Sequence, residues 1–207
     1  MIEALTVVVV AAILTSVAIP QLISARRLIR SAALPREMLA QLRYTRQQAM
    51  SQRQAFTFQY DDTNKQIRII DHNNTNNATS ACNVTGAAIM ADASYPNTAC
   101  STTVMTIPLT GRIVLPASEL SFGIPSGVTV STLSDNTTPT ALAGGRLNVT
   151  FQPDGTVIDA SGNYSNRTLF VYNNKVPRET AAAISILGVS GRIKVWRLDS
   201  ATDKYVE

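Results

Sequence analysis

Residues 4–25 carry no charge and are dominated by Val, Ala, Ile and Leu, with an unbroken apolar block from Val7 to Leu14. As a helix rising about 1.5 Å per residue the stretch extends roughly 33 Å, enough to cross a hydrocarbon core of about 30 Å. A buried core helix would show polar residues every three or four positions, and residues 7–14 have none. A cleaved secretory signal is the weaker alternative, because no basic n-region and no clear small-residue cleavage site precede Arg26. Between Arg26 and Arg53 the pattern turns amphipathic. Leu28, Ile29, Ala32, Ala33, Leu39, Leu42, Tyr44, Ala49 and Met50 recur mostly three or four apart, with Arg and Gln between them. One helical rod of about 50 residues is expected, roughly 75 Å if straight, with a kink or local unwinding at Pro20 and Pro35 because each lacks a backbone donor and crowds the preceding turn.

After residue 54 the period shortens. Runs rich in β-branched and aromatic residues predict strands at 56–60, 66–71, 104–109, 112–115, 120–122, 128–132, 146–152, 157–159, 168–172, 183–187 and 192–198. Turn chemistry separates them: Asp61-Asp62-Thr63-Asn64, Pro153-Asp154-Gly155 and Ser190-Gly191. One long helix followed by short strands implies an α+β fold, with the C-terminal half of the helix packed against an antiparallel β-sheet domain. The expected division is a helical arm at 1–53 and a β-rich head at 54–207. No repeat of constant period is visible.

The chain has 207 residues, 45% hydrophobic and only 15% charged, so a packed domain of ordinary size with an appendage is expected rather than disorder. Its net charge of +4 would by itself put nucleic acid or an acidic membrane surface among the partners. Resolved along the chain, the charge is +5 on residues 1–53, which hold seven Arg against Glu3 and Glu37, and about −1 on the other 154. The basic excess therefore belongs to the arm, and the rest of the chain is nearly neutral.

Residues 73–103 form a 31-residue stretch rich in Asn, Thr, Ser and Ala, with Asp92 its only charge. A long surface loop is expected there. Both cysteines, Cys82 and Cys100, lie inside it. A bridge between them would stabilise the fold by roughly 3 kcal/mol on the chain-entropy model and would suit an oxidising compartment; two unrelated thiols are the alternative.

The N-terminal run Met1-Ile2-Glu3-Ala4-Leu5-Thr6-Val7-Val8-Val9-Val10-Ala11-Ala12-Ile13-Leu14, with Pro20 beyond it, resembles the start of type IV pilins and type II secretion pseudopilins. In that family a lone Glu leads the helix and a Pro follows 17 residues later, the interval from Glu3 to Pro20. A charge at bilayer depth costs on the order of 2.5 to 3.5 kcal/mol on insertion scales, so a partner is expected. The resemblance implies one, the N-terminal amine of an adjacent subunit, which neutralises both charges as helices bundle into a filament. It marks Glu3, Leu5, Val8, Ile13 and Pro20 as assembly residues. Family members are made with a short basic leader ending in Gly and start, after cleavage, at an N-methylated Phe with the Glu fifth. Here the Glu is third and no Phe precedes it, so the sequence is expected to begin slightly inside the mature chain.

Residues 39–50, the strand at 55–60, Phe151-Gln152-Pro153-Asp154-Gly155-Thr156 and Gly191-Arg192-Ile193-Lys194-Val195-Trp196 are similar to the GspH/FimT group of minor pilins and pseudopilins. The resemblance implies a structural subunit of a type IV pilus or pilus-like filament, held in the inner membrane before assembly and extracellular or periplasmic afterwards. The implied partners are copies of itself or other pilins, a prepilin peptidase and an assembly platform. A type II secretion pseudopilin and a DNA-binding minor pilin are the alternatives within it.

Enzyme chemistry has little to stand on. The single His, His72, is expected in an exposed turn, without a second His or free Cys to form a nucleophilic pair or zinc site. No GxGxxG, phosphate loop or HExxH spacing occurs. Asp61, Asp62, Asp135, Asp154 and Asp159 lie near turns but lack the spacing of a calcium loop, and no cofactor is expected. On the last predicted strand Arg192, Lys194 and Trp196 share one face by alternation, with Arg197 beside them. Cations and an aromatic on an exposed face could contact phosphates and stack on a base. In the family resemblance, Lys194 stands where a Gly-Arg-x-Arg motif has its second Arg, keeping charge but losing the bidentate fork. The ordinary alternative is a solvated strand with Trp196 partly in the core. Seven Asn-x-Ser/Thr triplets, at Asn73, Asn77, Asn83, Asn136, Asn148, Asn163 and Asn166, mark surface loops more safely than glycans.

Overall fold

A computed structural model describes residues 2–72, 86–111, 115–128 and 132–207. The first element is α1 (Ile2–Gln52), 51 residues long. Helical backbone continues through Pro20 and Pro35, so neither proline unwinds it. The expected amphipathic half is there, but its buried stripe is Ser31, Leu34, Pro35, Met38, Leu42, Thr45 and Ala49. These positions recur three or four apart and stack on one face. Leu28, Ile29 and Met50, which the sequence pattern placed on that stripe, are exposed. Small polar residues are admitted because each hydroxyl bonds back within the helix: Ser31 Oγ donates to the Arg27 carbonyl at 2.8 Å and Thr45 Oγ1 to that of Gln41 at 2.7 Å.

Two antiparallel sheets receive this stripe. One has the order β3-β2-β1-β5, built from β1 (Phe56–Asp61), β2 (Gln66–Asp71), β3 (Thr102–Pro108) and β5 (Arg146–Phe151). The other has the order β4-β6-β7-β8-β9, from β4 (Leu120–Phe122), β6 (Arg167–Asn173), β7 (Ala182–Leu187), β8 (Arg192–Asp199) and β9 (Lys204–Val206). Short helices α2 (Gly86–Ala91) and α3 (Pro177–Thr180) and a 3-10 turn at Ala117–Glu119 lie between strands.

The main core is where α1 meets both sheets. Alternation sends Phe56, Phe58 and Tyr60 of β1, Leu147, Val149 and Phe151 of β5, Leu169 and Val171 of β6, and Ile184 and Ile186 of β7 inward onto Leu34, Met38 and Leu42. A second, smaller cluster covers the opposite face of the β4–β9 sheet: Phe170, Ala183, Trp196, Leu198 and Tyr205 with Leu133. Strands β6 and β7 are thus covered on both faces.

Three strand expectations need revision. Residues 157–159 form isolated bridges, Phe151 with Val157 and Ile158 with Tyr164, because the chain loops too sharply to extend a ladder. Of 112–115, only Leu115 is described, in a lone bridge to Thr110; residues 129–131 of the expected 128–132 strand also lie outside the described residues, and Val128 is not in a strand.

Candidate functional site

The arm offers an apolar surface that the head does not cover. Val7, Val10, Ile13, Leu14 and Ile19 are exposed, at 67%, 54%, 59%, 65% and 53%. By length and composition α1 is able to cross a membrane. Its hydroxyls are silenced locally: Thr6 donates to the Glu3 carbonyl, Thr15 to Ala11, Ser16 to Ile13 and Ser24 to Gln21, at 2.7 to 2.9 Å. Such back-bonding removes the penalty of placing a hydroxyl in an apolar medium. Glu3 is exposed at the leading end and makes no ion pair among the described residues. The backbone at Leu5, Val8 and Pro20 is helical.

Polar contacts fasten the head to the arm at two places. Near the start of the buried stripe, Arg27 Nε lies 3.4 Å from Glu119 Oε1, and Asn173 Nδ2 donates to Glu119 Oε2 at 3.1 Å and to Ser31 Oγ at 3.0 Å. Near the end of the helix Arg46 donates from Nε to the Gly155 carbonyl and from Nη2 to the Ser190 carbonyl. Thus the helix, the Pro-Asp-Gly turn and the Ser-Gly turn, three segments singled out in the sequence, meet at one guanidinium.

The basic strand differs from the expected platform. Lys194 and Trp196 do share a face, with Lys194 Nζ 4.9 Å from the centroid of the indole ring. That face is covered: Trp196 is 3% exposed within the second cluster, and its Nε1–H donates to Ser185 Oγ at 2.8 Å. Ser185 donates in turn to Asp135 Oδ2, and Lys194 donates to Glu207. Burial pushes the Asp135 carboxyl up, but hydrogen bonds from Ser185 and Thr137 outweigh it and hold the group low. Arg197 falls on the opposite face of β8, beside Leu28, Ala32 and Pro35 of α1. Of the three cations, Arg192 and Arg197 are both exposed and make no ion pair among the described residues, but they stand on opposite faces of β8, and only Lys194 is paired. The sequence pattern could report that Lys194 and Trp196 share a side; it carried no signal that the segment around Leu133 packs over that side.

His72 is not an exposed turn residue. It is 1% exposed, with Nε2 2.6 Å from Thr57 Oγ1, Nδ1 2.8 Å from Ser101 Oγ, and its ring stacked 6.1 Å from that of Tyr95. Thr57 Oγ1 lies 2.7 Å from Thr150 Oγ1, which lies 2.6 Å from Tyr95 OH. This polar layer seats residues 95–101 on the outer face of the β3–β5 sheet, and burial depresses the imidazole pKa to about 4. Cys100 is in the same segment and is not a free thiol; Cys82 lies outside the described residues, so the Cys82–Cys100 bridge stays an expectation. The triplets at Asn73, Asn77 and Asn83 lie there too. Asn148 corrects the surface-loop expectation: it sits within β5, accepting from Gln59 Nε2 at 2.9 Å.

The turn carboxylates serve their own turns. Asp61 Oδ1 accepts from the Thr63 and Asn64 amides, Asp154 from the Thr156 amide and hydroxyl, and Asp159 from the Ser161 and Asn163 amides. Among the described residues no three His, Cys, Asp or Glu side chains come together.

No protein-family model and no curated protein matches the chain. Among solved structures it is similar to the type IV minor pilin FimU of Pseudomonas aeruginosa in two crystal forms, each at 17% identity over 84% of this chain. The alignments cover 91% and 96% of those chains, with TM-scores of 0.42 and 0.41.

Proposed function

We propose that the chain is a structural subunit of a type IV pilus or pilus-like filament, with no enzymatic role. The observation that carries the reading is α1 itself. Its first half is an exposed apolar rod of bilayer length led by an unpaired carboxylate, and its second half is clamped to the head. A surface of that kind is stable only in lipid or against other helices. Both media are apolar, so little hydrophobic free energy is lost in moving the rod from the inner membrane into a bundle, and packing decides the outcome. Glu3 pairs with the N-terminal amine of a neighbour and sets the axial register, while the head forms the outer layer.

The test is assembly. Sheared surface filaments should contain the chain by peptide identification, and Glu3→Ala or Glu3→Leu should abolish its incorporation; unchanged incorporation would overturn the register role. Salt-sensitive DNA retardation lost in an Arg192→Ala, Lys194→Ala double variant would favour the DNA-capturing alternative.

A further inference from the structure

A cleft of about 220 Å³ opens on the head, away from the arm, where β5 and the start of β6 meet the loop after α2. Arg146 and Arg167 line it, with Asn148 and Tyr95 as further polar residues; Met90 and Ile158 are its apolar members. Among the described residues no acidic side chain lines it.

The donors are unevenly used. Arg146 Nε reaches Asp61 Oδ2 at 3.4 Å, but that carboxylate is 2% exposed, is not among the residues lining the cleft and already accepts from the turn that follows it. Arg167 makes no ion pair among the described residues. Asn148 uses its carbonyl oxygen to accept from Gln59, which leaves its amide nitrogen to donate. The cleft therefore gathers two cations and a neutral donor around one space, with a single buried carboxylate as offset.

Size and wall chemistry narrow the ligand. A single water or bare ion needs only about 10–15 Å³ of such volume, whereas drug-sized sites begin near 300 Å³. Guanidinium pairs favour planar oxyanions through forked hydrogen bonds, and the apolar walls favour a carbon body behind the charge. We propose that this cleft binds a small organic carboxylate, its charged end between Arg146 and Arg167 and its apolar body against Met90 and Ile158.

Saturation-transfer NMR on the full chain in detergent micelles, with empty micelles as reference, tests this with benzoate as probe, its neutral isostere benzamide as comparator and inorganic phosphate as a competitor read through the loss of the benzoate signal. Benzoate should bind, benzamide and phosphate at least about tenfold more weakly, and Arg167→Gln should lose about tenfold in benzoate affinity while Arg167→Lys retains more. Ala160 is an exposed residue at the rim, so Ala160→Leu should block the cleft without unfolding the head and gives an independent reading if Arg167→Gln proves unstable. Equal binding of benzoate and benzamide, phosphate binding as tight as benzoate, or benzoate binding undiminished in both Arg167→Gln and Ala160→Leu would overturn the proposal.

Discussion

Arg46 Nε donates to the carbonyl of Gly155 at 3.2 Å, tying the last turns of the helix to a turn 109 residues later in the chain. Its Nη2 reaches the Ser190 carbonyl at 2.9 Å. The approach is possible because the turns on either side are glycine. Gly155 has φ +81° and Gly191 φ +59°, both in the left-handed region, and a Cβ on Gly191 would stand 1.8 Å from the Gly155 carbonyl oxygen.

Gly191→Ala should therefore destabilise the head by more than about 2 kcal/mol, combining left-handed strain with a backbone collision. Arg46→Ala should cost about 1.5–3 kcal/mol through its two charge-assisted hydrogen bonds. Gly111→Ala, where a Cβ meets nothing within 4 Å, is the control and should change little. Urea unfolding of the full chain in micelles measures all three.

The two halves of α1 should respond oppositely to the same truncation. Leu42 is fully buried against both sheets, so Leu42→Ala should cost about 2–5 kcal/mol of head stability. Ile13 is 59% exposed; Ile13→Ala should leave the urea midpoint unchanged and instead reduce the chain's yield in sheared filaments.

His72 makes stability pH-dependent. Its folded pKa of about 4 lies below the ordinary value of 6.5, so the unfolded chain takes up a proton first as pH falls. The contribution is fully present above pH 6.5 and is lost progressively towards pH 4, by about 3 kcal/mol in total. In a urea series across that window, His72→Gln should show a flatter profile than the wild type; parallel profiles would mean that the buried imidazole is not the source.

Ser185 is completely buried between Trp196 and Asp135. Ser185→Ala strands the indole N–H and one carboxylate oxygen, an expected loss of about 1–3 kcal/mol. Trp196 fluorescence should shift to the red as the cover around Leu133 loosens, a change that a purely local loss would not produce.

Strands β1 to β8 were legible because each is long enough, or bounded sharply enough by Gly, Pro and Asp, to show its alternation. β9 has only Lys204, Tyr205 and Val206, too few for a period. The buried stripe of α1 was displaced from its predicted position because Ser31 and Thr45 read as polar, yet bond their own helix and pack inward. The cleft lined by Arg146 and Arg167 was not visible at all, since its walls come from segments far apart in the chain.

What the sequence determined by itself is local: an apolar rod led by Glu3, an amphipathic helical stretch after it, and strands whose alternate residues share a face. Which face is covered was decided by tertiary structure. His72 and Trp196 both stand on the outer sides of their sheets, where alternation alone leaves them free, and both are buried because residues 95–101 and the segment around Leu133 fold over them. Period reports direction relative to the strand; burial depends on what arrives from elsewhere in the chain, and the hydrogen bonds that hold those covers in place join residues 29 and 50 positions apart.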